Sequence, residues 1–166
     1  SRISRSKNLE VSIDAFLSSD FKSENLDIIG GPLNQKDVQY QNYLKEKYKI
    51  YNNVKFIGKV PYEKLPSFMK NYDVNFNSAG TGFFDKSVLE TLSAVLINFY
   101  HNQDFDSLYL DHSKKYYFKG KEDLTEKINN LKFLNDNDLK DVFIILNSNL
   151  EQHSLETLGD RLSKFI

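Results

Sequence analysis

The sequence predicts an α/β domain built on a Rossmann-like parallel sheet with helices on both faces, for two reasons. Several short runs rich in Val, Ile, Phe and Tyr end at turn residues, as β-strands do. The segments between these runs carry apolar residues at the spacing of amphipathic helices. Strands that alternate with helices are typical of βαβ units, in which a helix joins two parallel strands. At 166 residues, the chain is expected to form one domain over residues 1–166.

In the first half of the chain, three apolar runs are each followed by turn residues and are expected to be strands: Leu26–Ile29, Val54–Ile57 and Asp73–Phe76. Three helices alternate with them: one capped by Ser6 and running through Leu17, one at Asp37–Lys49, and one at about Tyr62–Lys70. Pro66 is tolerated in the third helix because it falls near its start. The chain opens with a loop where a doubly wound sheet should open with a strand. We therefore expect the first strand of the sheet to be missing.

The second half of the chain continues the same alternation. Two further aromatic and β-branched runs are expected to be strands: Val95–Tyr100 and Tyr116–Phe118. Apolar periodicity predicts four helices around and after them: Lys86–Ala94, Glu122–Leu134, Asp138–Asn147 and Ser154–Phe165. The sequence shows no internal repeat, linker or low-complexity stretch, which favours one compact domain.

Composition and charge exclude several classes of function. Lys and Arg number 22 against 23 Asp and Glu, a net charge of −1, so nucleic acid is not expected as a partner. The absence of Cys excludes a disulfide framework, a thiolate metal site and a Cys nucleophile. The three histidines have no zinc-type spacing, so no metal site is expected. No long apolar run and no signal peptide pattern are visible, and we expect a cytoplasmic protein.

Two features of the first 32 residues suit an anionic ligand. Arg2 and Lys7 flank the start of the first helix, where free backbone N–H groups and the helix dipole add to their charges. The alternative is that both side chains belong to a solvated chain end. Gly30 and Gly31 follow a strand and allow a ligand to approach the backbone. They do not form the G-x-G-x-x-G fingerprint of dinucleotide sites, and an ordinary strand-to-loop turn is the alternative.

The loop from Ser78 to Lys86 is the most informative stretch, because it contains glycines and joins a strand to a helix. In open α/β sheets, ligands bind at the carboxyl ends of the strands. Backbone N–H groups of residues 84–87 would face an anion there. Glu90 lies about one turn inside the following helix, from where its carboxylate could bind a hydroxylated ligand. The alternative is that Glu90 complements the helix dipole and pairs with Lys86 at i, i+4.

Five stretches, taken in order, carry a resemblance to a known family: Ser1–Asn8, Asn53–Val60, Leu65–Val74, Val88–Ser93 and His153–Glu156. They are similar to the motifs G-R-L…K-N, N-V-x-F-x-G-x-V, L-P-x-x-Y-x-x-A-D-V, V-L-E-A-M-A and S-W-E. In this order, the motifs resemble those of the C-terminal, donor-binding domain of the family 4 retaining glycosyltransferases, which have the GT-B fold. The resemblance covers nearly the whole chain.

The resemblance implies that the domain binds a nucleotide-diphosphate sugar. Arg2 and Lys7 would hold the diphosphate, Val60 would meet the base through its backbone, and Glu90 would bind the ribose hydroxyls. The remaining donor-binding residues would approach the phosphates and the sugar through backbone and side-chain groups: Gly31, Gly82, Phe83, Phe84 and Lys86. The family needs no metal and no further cofactor, because the basic pair and a helix N-terminus neutralise the leaving diphosphate.

The chain departs from the family pattern at three places. Gly82 stands where the family usually has a glutamate, and the loop Thr81–Lys86 resembles a variant with T-G-x-x-D-K. Residues 94–98 lack the Gly and Pro that follow this helix in the family. The N-terminal acceptor domain is absent, so association with a membrane is expected only through a full-length parent.

The function expected from the sequence is therefore retaining hexosyl transfer to an acceptor, with this chain as the donor-binding half and inactive by itself. Two other classes stay open. One is a degenerate module that binds nucleotide without catalysis, and the other is an interaction domain without a ligand.

Overall fold

A computed structural model describes residues 2–82 and 85–153, of which the side chains of 136, 139 and 149–153 are not described. Its strands are β1 (Leu26–Ile29), β2 (Val54–Gly58), β3 (Val74–Asn77) and β4 (Ile97–Tyr100). Its α-helices are α1 (Leu9–Ser18), α2 (Gln35–Lys47), α3 (Leu65–Met69), α4 (Lys86–Ser93), α5 (Asp106–Tyr109), α6 (Ser113–Tyr116), α7 (Lys121–Asn130) and α8 (Asp136–His153). Five short 3₁₀ helices complete the described elements: Arg5–Lys7, Tyr62–Lys64, Gln103–Phe105, Leu110–His112 and Leu131–Phe133.

The strands form two separate parallel pairs rather than one continuous sheet. β1 pairs with β2, and β3 pairs with β4, in parallel register. Two isolated parallel bridges flank these pairs, one between Arg2 and Gly31 and one between Tyr100 and Tyr117. Each strand is followed by a helix that returns the chain to the same end, which explains the parallel direction. The α/β architecture with parallel strands is confirmed.

Two apolar cores lie against the two strand pairs, and α1 contributes to both. Ile13 of α1 packs with Ile28 of β1 and with Tyr40 and Leu44 of α2. The larger core joins the other end of α1 to β4 and to the helices around it, and its members include Ala15, Phe16, Val88, Leu92, Phe99, Tyr100, Phe105, Leu124, Ile128 and Ile145. The amphipathic helix α1 therefore packs against both strand pairs.

Several element boundaries differ from those expected. Asn8, with a φ of 48°, precedes α1, and Ser6 lies inside a 3₁₀ turn rather than capping the helix. α2 begins before Asp37, because the Asn34 side chain accepts a hydrogen bond from the Asp37 N–H at 3.0 Å. β4 begins only at Ile97, since Val95 has a φ of 64° and cannot extend the strand.

The expected strand Tyr116–Phe118 is wrong as an extended element. Tyr116 ends α6, and only Tyr117 forms a bridge to Tyr100. The short helices between residues 103 and 116 are not predicted by any pattern in the sequence. α8 begins at Asp136 and runs to His153, so it is longer than the expected Asp138–Asn147. The expected helix Ser154–Phe165 lies outside the described residues.

Candidate functional site

A cavity of about 170 Å³ lies between β1 and β3 and reaches the carboxyl ends of both strands. Three of the residues proposed from the sequence line it, namely Arg2, Lys7 and Glu90. They come from the chain start and from α4, so the fold brings together groups far apart in sequence. The carboxyl ends of parallel strands are where open α/β sheets bind ligands.

The backbone of the first residues holds Arg2 at the rim of this cavity. The Ile3 N–H donates to the Gly31 carbonyl at 3.1 Å, which extends the bridge between Arg2 and Gly31. A Cβ at Gly31 would lie 2.9 Å from the Cε of Lys59, which is near the end of a flexible side chain that can move aside, so this contact does not require glycine at position 31. The buried Ile3 side chain then anchors the segment in the core with Ile13. Arg2 itself stays exposed.

Lys7 does not stand free in the cavity, because it forms an ion pair with Asp85. The Lys7 Nζ lies 2.6 Å from Asp85 Oδ2, and the two side chains are 16% and 10% exposed. The Asn77 side chain, at the end of β3, donates to the same carboxylate oxygen at 3.1 Å. Its own oxygen accepts from the Ala79 N–H at 3.3 Å. The ion pair therefore connects the segment before α1 to the loop after β3.

Asp85 also caps α4. Its Oδ1 accepts a hydrogen bond from the Ser87 N–H at 3.2 Å, which satisfies one of the free amides of the first turn. Burial alone would raise the pKa of the Asp85 carboxyl, but the hydrogen bonds and charge of Lys7, together with Ser87, hold the pKa below its ordinary value. The carboxylate is therefore ionised at neutral pH and accepts from one of the free backbone N–H groups of this helix N-terminus.

Glu90 is half-buried on α4 and faces the cavity one turn from Lys86. Among the described residues, no ion pair joins Glu90 to Lys86, so the structure does not contain the i, i+4 pair that was one alternative. Lys86 is exposed at the first position of α4. The next residue along, Thr91, donates to the Asn98 side chain and to the Ser87 carbonyl, which fixes α4 against β4.

The other residues proposed from the sequence lie at different places. Gly82, with a φ of 87°, is exposed, and its N–H donates to Asp104 at 2.8 Å. Val60 is half-buried in the loop after β2 and is not among the residues that line the cavity. Phe83 and Phe84 lie outside the described residues.

Sequence reasoning did not identify two polar groups of the site. Asn77 binds the Asp85 carboxylate, and Ser12 hydrogen-bonds Ser78 across the cavity wall. Ser12 is buried on α1, and its polar side chain among apolar neighbours was the available signal. In the sequence, Asp85 stands out only as part of the T-G-x-x-D-K pattern of Thr81–Lys86. Because Asp85 lies 78 positions from Lys7, no local spacing in the sequence indicates the ion pair.

The described residues contain neither a metal-binding cluster nor a membrane-spanning helix. No group of three or more His, Asp or Glu side chains in the described part of the chain is arranged to hold a metal ion. Likewise, none of the helices within it has the length and apolar character needed to cross a bilayer.

Solved structures that share this fold include two glycosyltransferase-fold proteins. The catalytic domain of cholesterol-α-glucosyltransferase from Helicobacter pylori aligns with a TM-score of 0.75 and 18% identity, over 91% of this chain and 94% of that chain. HepE of Anabaena, in complex with UDP, aligns with a TM-score of 0.83 and 15% identity, over 99% of this chain. The alignment covers 46% of the HepE chain, so this chain spans about half of that protein. At such identities the likeness shows the Rossmann-like GT-B fold.

No curated protein matches the sequence significantly. The family model described as glycosyl transferases group 1 matches residues 1–145, which is most of the chain. The matched stretch contains both strand pairs, the cavity between them and the Lys7–Asp85 ion pair. The chain belongs to the glycosyl transferases group 1 family.

Proposed function

We propose that this chain is the donor-binding half of a retaining hexosyltransferase and that it binds a nucleotide-diphosphate sugar. In this proposal Arg2 and Lys7 hold the diphosphate, and Glu90 accepts hydrogen bonds from the ribose hydroxyls. Val60 meets the base, and the loop around Gly82 approaches the sugar. The reaction takes place in the cytoplasm, and the basic pair with the N-terminus of α4 stabilises the leaving diphosphate without a metal.

One observation carries the proposal. Two cationic side chains and one carboxylate, from positions 2, 7 and 90, line a single cavity at the carboxyl ends of β1 and β3. A diphosphate needs cations and amide donors, whereas a ribose diol needs an acceptor such as a carboxylate. Membership of a glycosyltransferase family supports glycosyl transfer. The UDP bound to HepE, a protein of the same fold, supports a nucleotide as the ligand.

The test is a calorimetric titration of the chain with UDP, GDP and ADP, and with the corresponding nucleosides. One of the three nucleoside diphosphates should bind. Arg2→Ala should lower its affinity about tenfold to a hundredfold, since a charge-assisted hydrogen bond contributes about 1.5–3 kcal/mol. Binding of the bare nucleoside should not change.

Arg5→Ala is the matched control. Arg5 is also an exposed arginine near the chain start, but its guanidinium lies 5.1 Å from the centre of the Tyr40 ring and does not line the cavity. If Arg5→Ala weakens the diphosphate as much as Arg2→Ala does, or if Arg2→Ala weakens the nucleoside equally, the assignment of Arg2 is wrong.

A second candidate is a degenerate module that keeps the fold without catalysis. The specific observation in its favour is the Lys7–Asp85 ion pair, which already neutralises one of the two cations of the site. The absence of the family's glutamate at Gly82 points the same way. Binding without transfer by the full-length parent would favour this candidate, and no binding of any diphosphate would favour a purely structural role.

A further inference from the structure

Two neighbouring loops leave the sheet at the end where the candidate site lies. β3 and β4 are parallel, and Asn77 at the end of β3 is paired with Tyr100 at the end of β4. The His101 N–H then donates to the Asn77 carbonyl at 2.9 Å, one residue beyond β4. Because the two strands end side by side, the loops that follow them begin side by side at the carboxyl edge, where open α/β sheets bind ligands.

A hydrogen bond joins these two loops. The Gly82 N–H, in the loop after β3, donates to Asp104 Oδ2, in the loop after β4, at 2.8 Å. We infer that Asp104 is a positioning residue, which through this hydrogen bond holds the loop after β3 in the place where it contacts the sugar of the donor. The inference rests on the proposed function for the identity of the ligand, and on the geometry of the two loops for the role of Asp104.

The loop after β4 carries Asp104 on a fixed turn. The Asn102 side chain accepts from the Asp104 N–H at 2.9 Å and so caps the 3₁₀ helix Gln103–Phe105. The residues on either side of Asp104 in this turn, Asn102 and Phe105, are fully buried, whereas Asp104 itself is exposed. The carboxylate is therefore presented to Gly82 by a backbone that is anchored in the core.

The loop after β3 is held at both ends by other groups. Near its start, the Ala79 N–H donates to the Asn77 side chain at 3.3 Å. At its end, Asp85 forms the ion pair described above. Gly82 lies midway between these two anchors. Its hydrogen bond to Asp104 therefore fixes the part of the loop around which the proposed function places the sugar.

The residue type at position 82 fits this role. Gly82 has a φ of 87°, in a region that glycine adopts freely and other residues rarely adopt. A Cβ there would meet no atom of the described residues within 4 Å, its chain neighbours aside. The backbone conformation that turns the Gly82 N–H toward Asp104 is therefore a physical reason for glycine at a position where the family usually has a glutamate.

The test compares Asp104→Ala with Asp104→Asn by calorimetric titration with UDP and with UDP-glucose. Asn keeps a side-chain oxygen that can accept from the Gly82 N–H, whereas Ala does not. Asp104→Ala should lower the affinity for UDP-glucose at least about fivefold and leave the affinity for UDP within about twofold of wild type. Asp104→Asn should retain most of the wild-type affinity for UDP-glucose. Gln103→Ala, at an exposed neighbour in the same turn, is the matched control and should change neither affinity.

A second measurement needs no ligand. Hydrogen exchange of the Gly82 amide should be at least about tenfold faster in Asp104→Ala than in wild type, and close to the wild-type rate in Asp104→Asn. Gly82→Ala breaks the same contact from the other side, because alanine disfavours a φ of 87°. It should also weaken UDP-glucose selectively. Adding Asp104→Ala to Gly82→Ala should cause little further loss, since both changes remove one contact.

The outcomes separate this inference from the proposed function. If wild type binds none of UDP, GDP and ADP, the proposed function fails and the inference fails with it. If it binds GDP or ADP, the glucose conjugate of that diphosphate replaces UDP-glucose in the comparison. The inference alone is wrong if Asp104→Ala weakens the diphosphate and the sugar nucleotide equally, or weakens neither. It is also wrong if Asp104→Asn is as defective as Asp104→Ala, because the charge and not the hydrogen bond would then matter.

Discussion

At the residue scale, the two cations of the site are in different electrostatic states. Lys7 has a counter-ion, Asp85, whose carboxylate also caps α4 and accepts from Asn77. Arg2 is exposed, and no described residue forms an ion pair with it. In the proposed function, an incoming diphosphate would therefore compete with Asp85 for Lys7 but would meet Arg2 without competition. Asp85 is thus predicted to stabilise the fold while it weakens binding.

Asp85→Asn separates these two effects. Asn is an equally good helix cap, so the variant removes the negative charge and keeps the cap. We expect a loss of about 1–3 kcal/mol in the free energy of unfolding at pH 7, from the largely buried ion pair. We also expect tighter binding of UDP, because Lys7 is released. Chemical denaturation and calorimetry measure the two changes.

The pH dependence of this difference has a definite sign. The pKa of Asp85 is lowered in the folded chain, so its stabilising effect is complete above the ordinary carboxyl value of 3.8 and is lost as the pH falls below it. Wild type and Asp85→Asn should therefore converge in stability at low pH. The control is the double variant Lys7→Met/Asp85→Asn, in which the gain in UDP affinity expected of Asp85→Asn should be abolished. If Asp85→Asn binds UDP less tightly than wild type, Asp85 does not compete for Lys7.

Glu90→Gln tests the ribose contact. The substitution keeps the shape and removes the charge, so the chain should fold normally while UDP binds about tenfold more weakly. The loss should be smaller with 2′-deoxy-UDP, which has one hydroxyl fewer to lose. Glu126→Gln, on the exposed face of α7, is the matched control. Unchanged UDP affinity in Glu90→Gln would leave Glu90 only a role at the helix dipole.

At the element scale, the sequence predicted those parts whose signal is local. Each strand is a short apolar run that ends at a turn, and this pattern predicts the boundaries of β1–β4 to within two residues. The helices between residues 103 and 116 have three or four residues each. A helix of about one turn shows no period of 3.6 residues, so they were missed, and the aromatic run at Tyr116 suggested a strand.

The candidate site likewise contains residues that the sequence predicts and a contact that it does not. Arg2, Lys7 and Glu90 were proposed from motifs and loop position, and the fold brings all three to one cavity. The ion pair between Lys7 and Asp85 depends on how the chain start packs beside the loop after β3. That placement is a property of the tertiary structure, and no periodicity in the sequence encodes it.

Phe105→Ala tests whether the unexpected segment from residue 103 to 116 is part of the core. The Phe105 side chain is fully buried, with its ring edge-on to Tyr100 at 6.0 Å. Its truncation should cost about 3–5 kcal/mol in the free energy of unfolding. Phe143→Ala on α8, where the side chain is 52% exposed, should change stability by less than about 0.5 kcal/mol. Equal small effects in denaturant titrations would mean that this segment does not support the fold.

At the scale of the whole molecule, the chain forms two halves, one around β1 and β2 and one around β3 and β4, and α1 contributes to the core of each. Leu26 of β1, which packs against both cores, and the hydrogen bond from Tyr72 to Asp27 also connect the halves. Ile13 belongs to the core around β1 and β2, and Phe16 to the core around β3 and β4. Ser12 of α1 hydrogen-bonds Ser78, which follows β3, and both residues line the cavity. The candidate site therefore lies where the two halves meet, and its geometry depends on their separation as well as on its own side chains.

The same architecture predicts that the 166-residue chain alone does not transfer sugar. In the GT-B arrangement proposed here, donor and acceptor meet in a cleft between two domains, and this chain spans 46% of the HepE chain. Catalysis requires both reactants to be held in near-attack geometry. The residues of the proposed function would bind the donor, and none of them is proposed to bind an acceptor. Weak nucleotide binding without turnover is the expected result.

The assay uses purified chain with a panel of nucleotide sugars, and follows both transfer to simple acceptors and hydrolysis of the donor. Wild type and Arg2→Ala should be equally inactive, although calorimetry distinguishes their affinities for UDP. Turnover of wild type at an ordinary enzymatic rate of ~1–10³ s⁻¹, abolished in Arg2→Ala, would contradict the prediction. It would mean that the cavity between β1 and β3 orients an acceptor as well as a donor, and that one domain of this fold builds a complete site.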